Sequence, residues 1–144
     1  MKVLAFPTMQ SFDLKTDPDG LAKITVRQAS QGENILRQDA GSTRRQVWGD
    51  DSDKMAIEFD YNGLELQRKE AYLTLALVSG IEDEMGNILF RSAETSRGPR
   101  VSAAMTEDEF NAAYNKLPAD VCEEIAGYVH EVNASWGPKK AKTE

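Results

Sequence analysis

The chain has 144 residues, with 17 Lys and Arg against 24 Asp and Glu, and a formal net charge of -7 at pH 7. This length favours one domain with its own apolar core, and 28% charged and 40% hydrophobic residues are typical of a folded soluble chain. The acidic excess argues against binding to nucleic acid or to an anionic membrane, and a single Cys and a single His exclude a disulfide framework and a Cys/His zinc site.

The N-terminal sequence lacks the pattern of a secreted protein. Residues 1–10 hold one Lys and a short apolar patch, without the longer apolar stretch of a signal peptide. No apolar run approaches the ~18 residues that a membrane-spanning helix needs. We therefore expect a cytoplasmic protein, in which Cys122 is a reduced thiol.

The first elements of the sequence predict a β-hairpin. Residues 3–6 form a short apolar run that Pro7 ends, and residues 22–28 alternate apolar and polar side chains with several β-branched residues. Between them, residues 17–20 read Asp-Pro-Asp-Gly, a strong turn sequence. The two runs are suited to pair as strands around this turn.

Residues 29–54 are polar and only weakly periodic. They predict a short helix over 32–40, loops at 41–43 and 49–53, and either a strand or a helix end at 44–48. Whether the whole region is ordered is left open by its composition.

The middle of the chain predicts a strand, a turn and a helix. Met, Ile, Phe and Tyr alternate on one face of residues 55–61, which is the pattern of a strand. Asn62 and Gly63 form a turn sequence. Residues 64–79 are rich in helix-forming Leu, Ala, Glu, Gln and Lys, and Gly80 suits the C-terminal end of a helix there.

The last third of the sequence predicts connections followed by two helices. Residues 81–90 form a connection with a tight Gly-Asn turn, and residues 91–102 form a polar loop. Thr106 and Glu109 have the spacing of a capping box that begins a helix, and Pro118 begins the final helix. The apolar stripe of that final helix comprises Val121, Ile125, Tyr128, Val129, Val132 and Trp136.

This order of elements predicts the α+β class. A small N-terminal β part, a hairpin or short sheet, precedes a C-terminal bundle of about three helices. We expect one domain over residues 1–138, β-rich over 1–62 and α-rich over 63–138. Residues 139–144 are expected to be a disordered tail.

Two clusters of carboxylates are the first candidates for chemistry. One comprises the three acidic residues at 82–84, and the other comprises three aspartates within residues 50–53. Acid–base catalysis needs two carboxyls in different environments, whereas both clusters lie in predicted polar turns where the carboxylates are hydrated. Neither has the alternating ligand spacing of a calcium loop. We therefore predict no catalytic residue, no metal site and no cofactor.

Cys122 and His130 are the second candidate, a nucleophile and a base. They lie eight positions apart on the predicted final helix, which places them ~12 Å apart along its axis. A dyad within one straight helix is therefore excluded. We expect Cys122 to pack beside the apolar stripe and His130 to be exposed near Glu131.

Two groups of residues are candidates for binding a partner. One is an apolar face that comprises Tyr128, Val129, Val132 and Trp136. This face suits a partner helix or, alternatively, packing within the chain's own core. The other group is Arg97 and Arg100, which suit an acidic partner loop or are solvated loop charges.

Several segments from residue 71 onward carry a family pattern. An apolar helix at 71–78 precedes residues 81–90, which include an Asp-x-x-Gly-Asn-x-Leu-Phe turn. Phe110 follows in a capped helix, and residues 117–121 lead to a final helix that ends near Asn133. This pattern resembles the tail assembly chaperones of long-tailed bacteriophages. Some members of that family have a β-containing N-terminal part, which is compatible with residues 22–28.

The resemblance implies a non-enzymatic phage protein made in the cytoplasm of the infected host and absent from the mature virion. It implies two partners, the tape measure protein and the tail tube protein, and it leaves homo-oligomer formation open. A tape measure protein is a long helical chain whose apolar stripes aggregate unless they are covered. Binding it and helping tail tube assembly are thus the expected functions, with neither nucleic acid nor membrane as a partner.

A different phage protein is the alternative. A structural tail protein, or a head–tail connector or terminator protein, is expected to contain more β structure, to assemble into rings and to remain in the virion. A small enzyme is a third class, and no group of residues in the sequence favours it.

Overall fold

The structure is a computed structural model that describes residues 8–46 and 52–137, with the backbone alone described for 41–46 and 52–62. Strands β1 (Met9–Asp13), β2 (Lys23–Arg27) and β3 (Leu75–Ser79) form an antiparallel sheet in the order β1-β2-β3, and β4 (Ala93–Thr95) pairs with β5 (Gly98–Arg100). The helices are α1 (Gln31–Gln46), α2 (Ser52–Thr74), α3 (Glu107–Tyr114) and α4 (Ala119–Val132). The predicted α+β class, a small N-terminal sheet with a C-terminal group of helices, is confirmed.

The first two strands form a hairpin around the predicted turn. The Asp17 carboxylate accepts hydrogen bonds from the backbone N–H groups of Leu21 and Ala22, at 2.7 and 2.8 Å, and so holds the loop closed. The predicted strand over 22–28 and the predicted turn are therefore confirmed. The strand that pairs with β2 is β1, whereas the run predicted at residues 3–6 lies outside the described residues.

The strand predicted over residues 55–61 is wrong, because these residues belong to α2. The turn predicted at Asn62 and Gly63 is wrong for the same reason. Helix propagation is cooperative, so the strong helix formers that follow Gly63 extend the helix through a segment whose own pattern alternates. The second half of the predicted β-rich front, residues 31–62, therefore contains α1 and the first part of α2.

The helix predicted over residues 64–79 ends early, at Thr74. The chain continues directly into β3, which pairs with β2 and buries Leu75 and Ala76. Tertiary pairing thus overrides the helix propensity of this apolar stretch. The loops predicted at 41–43 and 91–102 are also wrong. Residues 41–43 are helical, and residues 91–102 contain β4, β5 and the start of a short 3-10 helix.

The predicted start of α3 is confirmed as a capping box. The Thr106 hydroxyl accepts from the Glu109 N–H, and the Glu109 carboxylate accepts from the Thr106 N–H. The helix that follows places Phe110, which is fully buried, at the centre of an aromatic cluster. The rings of Tyr72 and Phe90 lie 5.3 and 5.5 Å from it, so α2 and the chain after β3 are joined to α3 through one core.

Candidate functional site

The apolar stripe of α4 packs mainly within the chain. Val129 is 1% exposed and Trp136 is 6% exposed, so both belong to the core. Tyr128 is half-buried, and its ring stacks on Phe12 with centroids 4.2 Å apart. Of the four residues predicted to form a partner-binding face, Tyr128 and Val132 alone keep part of their surface accessible. This face therefore packs mainly against the chain's own core, which is the alternative to binding a partner helix.

The two arginines predicted to hold an acidic partner loop lie in different environments. Arg97 is exposed in the turn between β4 and β5. The guanidinium of Arg100 instead forms a short ion pair with the buried carboxylate of Glu33. Because Arg100 is paired inside the protein, the two side chains do not form a joint basic site. A contact of Arg97 with a partner stays a prediction.

Glu33 is the centre of a buried cluster at the start of α1. Its carboxylate is bound by the guanidinium groups of Arg27 and Arg100, and Oε1 accepts from the Ser30 N–H at 2.8 Å. Burial alone raises the pKa of Glu33, but the hydrogen bonds from Arg27 and Ser30 and the two positive charges lower it below the usual value. The cluster joins α1 to β2 and β5 and leaves no charge of Glu33 unpaired.

Glu70 forms a second buried cluster between α1, α2 and α4. Its side chain is 3% exposed, with Oε2 lying 2.5 Å from Nε of Arg37 and Oε1 lying 2.8 Å from Nε2 of His130. The Arg37 guanidinium also lies over the Trp136 ring at 5.2 Å. The prediction that His130 is exposed beside Glu131 is therefore wrong, because the ring turns inward to Glu70.

Cys122 and His130 contact different groups within the described part of the chain. Its Sγ lies 3.8 Å from the carbonyl oxygen of Tyr114, while His130 contacts Glu70. Burial raises the pKa of the Cys122 thiol, which disfavours the reactive thiolate. The residue packs beside the core, as the sequence predicts.

A groove of about 760 Å³ lies where the turn between β1 and β2 and the turn that follows β3 meet the α3–α4 junction. We call it the acidic groove, and its lining residues come from segments 14–22, 80–89 and 116–121. Its apolar lining includes Leu14, Ala22, Ile81, Leu89, Leu117 and Val121. Its charged lining comprises Asp17, Glu82, Asp83, Glu84 and Lys116.

Large apolar side chains project from the turns that border the acidic groove. Met85, which lines it, is 86% exposed, and Ile88 of the same turn is 68% exposed. Leu21, on the opposite turn, is 71% exposed. Single exposed apolar residues are ordinary, but three of them beside an apolar groove are typical of an interaction surface.

The turn that presents Met85 is held in place by Asp83. Its Oδ1 accepts from the N–H groups of Met85 and Asn87, both at 2.9 Å, and Gly86 adopts a φ of 82°. The hydrogen bonds from the backbone of Asn87 and Met85 hold the pKa of Asp83 below its usual value. The backbone hydrogen bonds to Asp17 act in the same way on the pKa of that carboxyl in the opposite turn. Both carboxylates therefore remain charged well below neutral pH.

Glu124 of α4 binds the turn between β1 and β2. Its carboxylate accepts from the N–H groups of Lys15 and Thr16, at 2.7 and 3.0 Å, and from the Tyr128 hydroxyl at 2.6 Å. Burial alone raises the pKa of Glu124, but these hydrogen bonds lower it to about 2. The turn between β1 and β2, which contributes Asp17 to the groove lining, is thus tied to α4, which contributes Val121.

Sequence reasoning misses the groove as a site, although it names most of the segments that form it. The pattern at 82–84 indicates hydrated turn charges, and the pattern at 17–20 indicates a turn alone. The available signal is Met85 and Ile88, two large apolar residues inside a short polar turn. The convergence of the two turns on residues 116–121 depends on tertiary packing.

The described residues contain no group of three or more His, Cys, Asp or Glu side chains that could hold a metal ion. Asp50 and Asp51, which belong to the predicted carboxylate cluster, lie outside those residues, as does the predicted tail at 139–144. Among the described helices, none is long and apolar enough to cross a membrane. No protein-family model, no curated protein and no solved structure matches the chain.

Proposed function

We propose that the protein is a non-enzymatic tail assembly chaperone of a long-tailed phage, which binds the tape measure protein and helps tail tube assembly. One observation supports this proposal: segments that resemble the family also line the acidic groove. Residues 81–90 and 117–121 are two of the segments on which the resemblance rests, and both contribute to the lining of the acidic groove. Two of the segments that resemble the family thus contribute to one groove with an apolar lining.

The physical properties of the groove support a binding role. Its lining includes several apolar side chains, Met85 in that lining is exposed, and its charged lining carries an excess of negative charge. A chaperone must cover the apolar stripes of a helical client and remain soluble while it does so. The net charge of -7 serves the second requirement.

Co-expression tests this function. The tape measure protein encoded by the same phage genome is expressed alone and together with the full chain, and its soluble fraction is measured. We expect the soluble fraction to rise severalfold on co-expression and the two proteins to co-purify. An unchanged soluble fraction would contradict the chaperone function.

The alternative, a structural tail or connector protein, is tested by mass spectrometry of purified virions. A chaperone acts before assembly is complete, so we expect none of its peptides in washed particles. Stoichiometric recovery from virions, together with ring assemblies of the purified protein, would favour the structural class instead.

A further inference from the structure

We propose that the acidic groove binds a cationic amphipathic helix of a partner protein. This inference rests on the proposed chaperone function and specifies the kind of client segment that the groove accepts. It follows from the charge of the lining residues, from their hydrogen bonding and from the elements to which they belong.

The charge of the lining selects a cationic occupant. Asp17, Glu82, Asp83 and Glu84 face the groove together with one ammonium group, that of Lys116, so three negative charges are in excess. A second copy of the chain would bring its own net charge of -7 to this surface, which disfavours self-association through the groove. A partner segment with Lys or Arg beside its apolar residues complements both features.

The carboxylates of the groove attract cationic side chains through their electric field, and they do not coordinate one ligand together. The oxygens of Asp17 and Asp83 already accept hydrogen bonds from the backbone of their own turns. They therefore do not converge on one point, as the polar groups of a metal or small-molecule site do. Cationic side chains on flexible stems are attracted by such fixed charges without a single required geometry.

The elements that line the groove favour a helical occupant. The lining residues belong to turns and to the α3–α4 junction and α4, and none belongs to β1, β2 or β3. The groove therefore offers no edge of the three-stranded sheet to which an extended peptide could add, and its lining residue Glu82 already pairs with Ile88 of its own turn. A segment buried there must satisfy its own backbone hydrogen bonds, which a helix does.

The apolar lining matches one stripe of such a helix. Among the apolar lining residues, Leu14 and Ala22 are buried, while Leu117 and Val121 are half-buried. Met85 also lines the groove, and methionine side chains are flexible and polarizable, so they adapt to helices of different sequence. A stripe of apolar residues at i, i+3, i+4 and i+7 suits this arrangement.

The test uses three synthetic peptides of ~18 residues, about five helical turns each. The first has Leu at i, i+3, i+4 and i+7 with Lys on the remaining face. The second replaces each Lys by Glu, and the third has the composition of the first in an order that forms no apolar face. Each is titrated into the full-length protein, and binding is followed by fluorescence anisotropy at low salt. We expect the Lys peptide to bind at least about tenfold more tightly than the other two.

Variants locate the binding site. Glu82→Gln with Glu84→Gln removes two charges of the groove, whereas Glu94→Gln with Glu131→Gln removes two exposed charges elsewhere and matches the net charge. We expect the groove pair to weaken binding of the Lys peptide about tenfold at low salt and less at high salt, because salt screens exposed charges. The control pair should change the affinity less than about twofold.

A second pair of variants tests the apolar contact without disturbing the core. Met85→Gln changes a side chain that is 86% exposed in the groove, and Leu64→Gln changes one that is 72% exposed on α2. We expect weaker binding for the first variant and unchanged binding for the second. Equal affinity for the three peptides, or equal weakening by groove and control variants, would overturn the inference.

The inference and the proposed function fail separately. If co-expression raises the solubility of the tape measure protein but the Lys peptide does not bind, the groove assignment is wrong and the chaperone function stands. If the peptide binds in the groove but co-expression has no effect, the groove assignment stands and the chaperone function is wrong.

Discussion

Nε2 of His130 lies 2.8 Å from Oε1 of Glu70, a carboxylate whose side chain is only 3% exposed. This contact joins α4 to α2, and the second oxygen of Glu70 joins α2 to α1 through Arg37. A buried carboxylate with two partners is tolerated because its lost hydration is replaced by charged hydrogen bonds. Glu70 therefore links α1, α2 and α4 through two polar contacts.

Removing Glu70 is expected to destabilise the protein strongly. Glu70→Ala leaves the Arg37 guanidinium partly buried without its counter-ion, and we expect the free energy of unfolding to fall by ~3–5 kcal/mol in urea titrations. Lys23→Ala is the control, because Lys23 pairs with Asp13 at 3.8 Å between side chains that are 57% and 79% exposed. That variant should lose less than ~1 kcal/mol. Equal losses would show that the Glu70 cluster contributes no more than a surface pair.

The close approach of Gly80 to the β1–β2 turn gives a second prediction. Gly80 has a φ of 76°, and a Cβ there would lie 2.1 Å from the carbonyl oxygen of Leu21. Gly20 has a similar φ of 69° but no atom within 4 Å of its Cβ position, so Gly20→Ala measures the backbone strain alone. We expect Gly20→Ala to lower the free energy of unfolding by ~1–2 kcal/mol and Gly80→Ala to lower it at least twice as much or prevent folding. Similar urea midpoints for the two variants would contradict the packing of Gly80 against the turn.

Removing the capping box of α3 is expected to have a smaller effect on the free energy of unfolding. Thr106→Ala removes the hydroxyl that accepts from the Glu109 N–H at 3.2 Å, and we expect a loss of ~1 kcal/mol in the free energy of unfolding. Thr106→Ser keeps the hydroxyl and should retain most of the stability. If the serine variant were as unstable as the alanine variant, the loss would come from the methyl group and not from the cap.

The low pKa of Glu124 predicts that the folded protein loses part of its stability in acid. Its pKa is about 2 in the folded protein against an ordinary 4.5, so its contribution is present above about pH 4.5 and is lost as the pH falls through about 2. Glu124→Gln should therefore be less stable than the parent protein at neutral pH, and its free energy of unfolding should fall less between pH 4.5 and 2. Urea titrations across this range measure both slopes. Parallel pH profiles would mean that the folded state does not depend on ionised Glu124.

Local signals in the sequence predict much of the fold. The turn at residues 17–20, the strand over 22–28, the capping box and the final helix depend on side chains close in the chain, and the structure confirms each of them. Two of the failures are at 55–61 and 75–79, whose apolar residues fit either a helix or a strand. Cooperative extension of α2 decides the first case, and pairing with β2 decides the second.

The candidate site is less accessible to prediction because its parts are far apart in sequence. The helical pattern alone places His130 on a solvent-facing side, since its partner Glu70 lies 60 positions away. The acidic groove likewise requires three segments that only the folded core brings together. Composition predicts an acidic surface. It does not predict that four acidic residues gather beside the apolar lining of one groove, because that depends on the tertiary structure.

Site-specific photocrosslinking in cells tests the central claim most directly. A photoreactive benzoyl-phenylalanine replaces Met85 in the groove or, as the control, Leu64 on α2, in bacteria that co-express the full chain with the tape measure protein. We predict a crosslink from position 85 to the tape measure protein, at a segment with an apolar stripe flanked by Lys or Arg, and little from position 64. Crosslinking to the tape measure protein that is as strong at 64 as at 85, or absent from 85, would contradict the account.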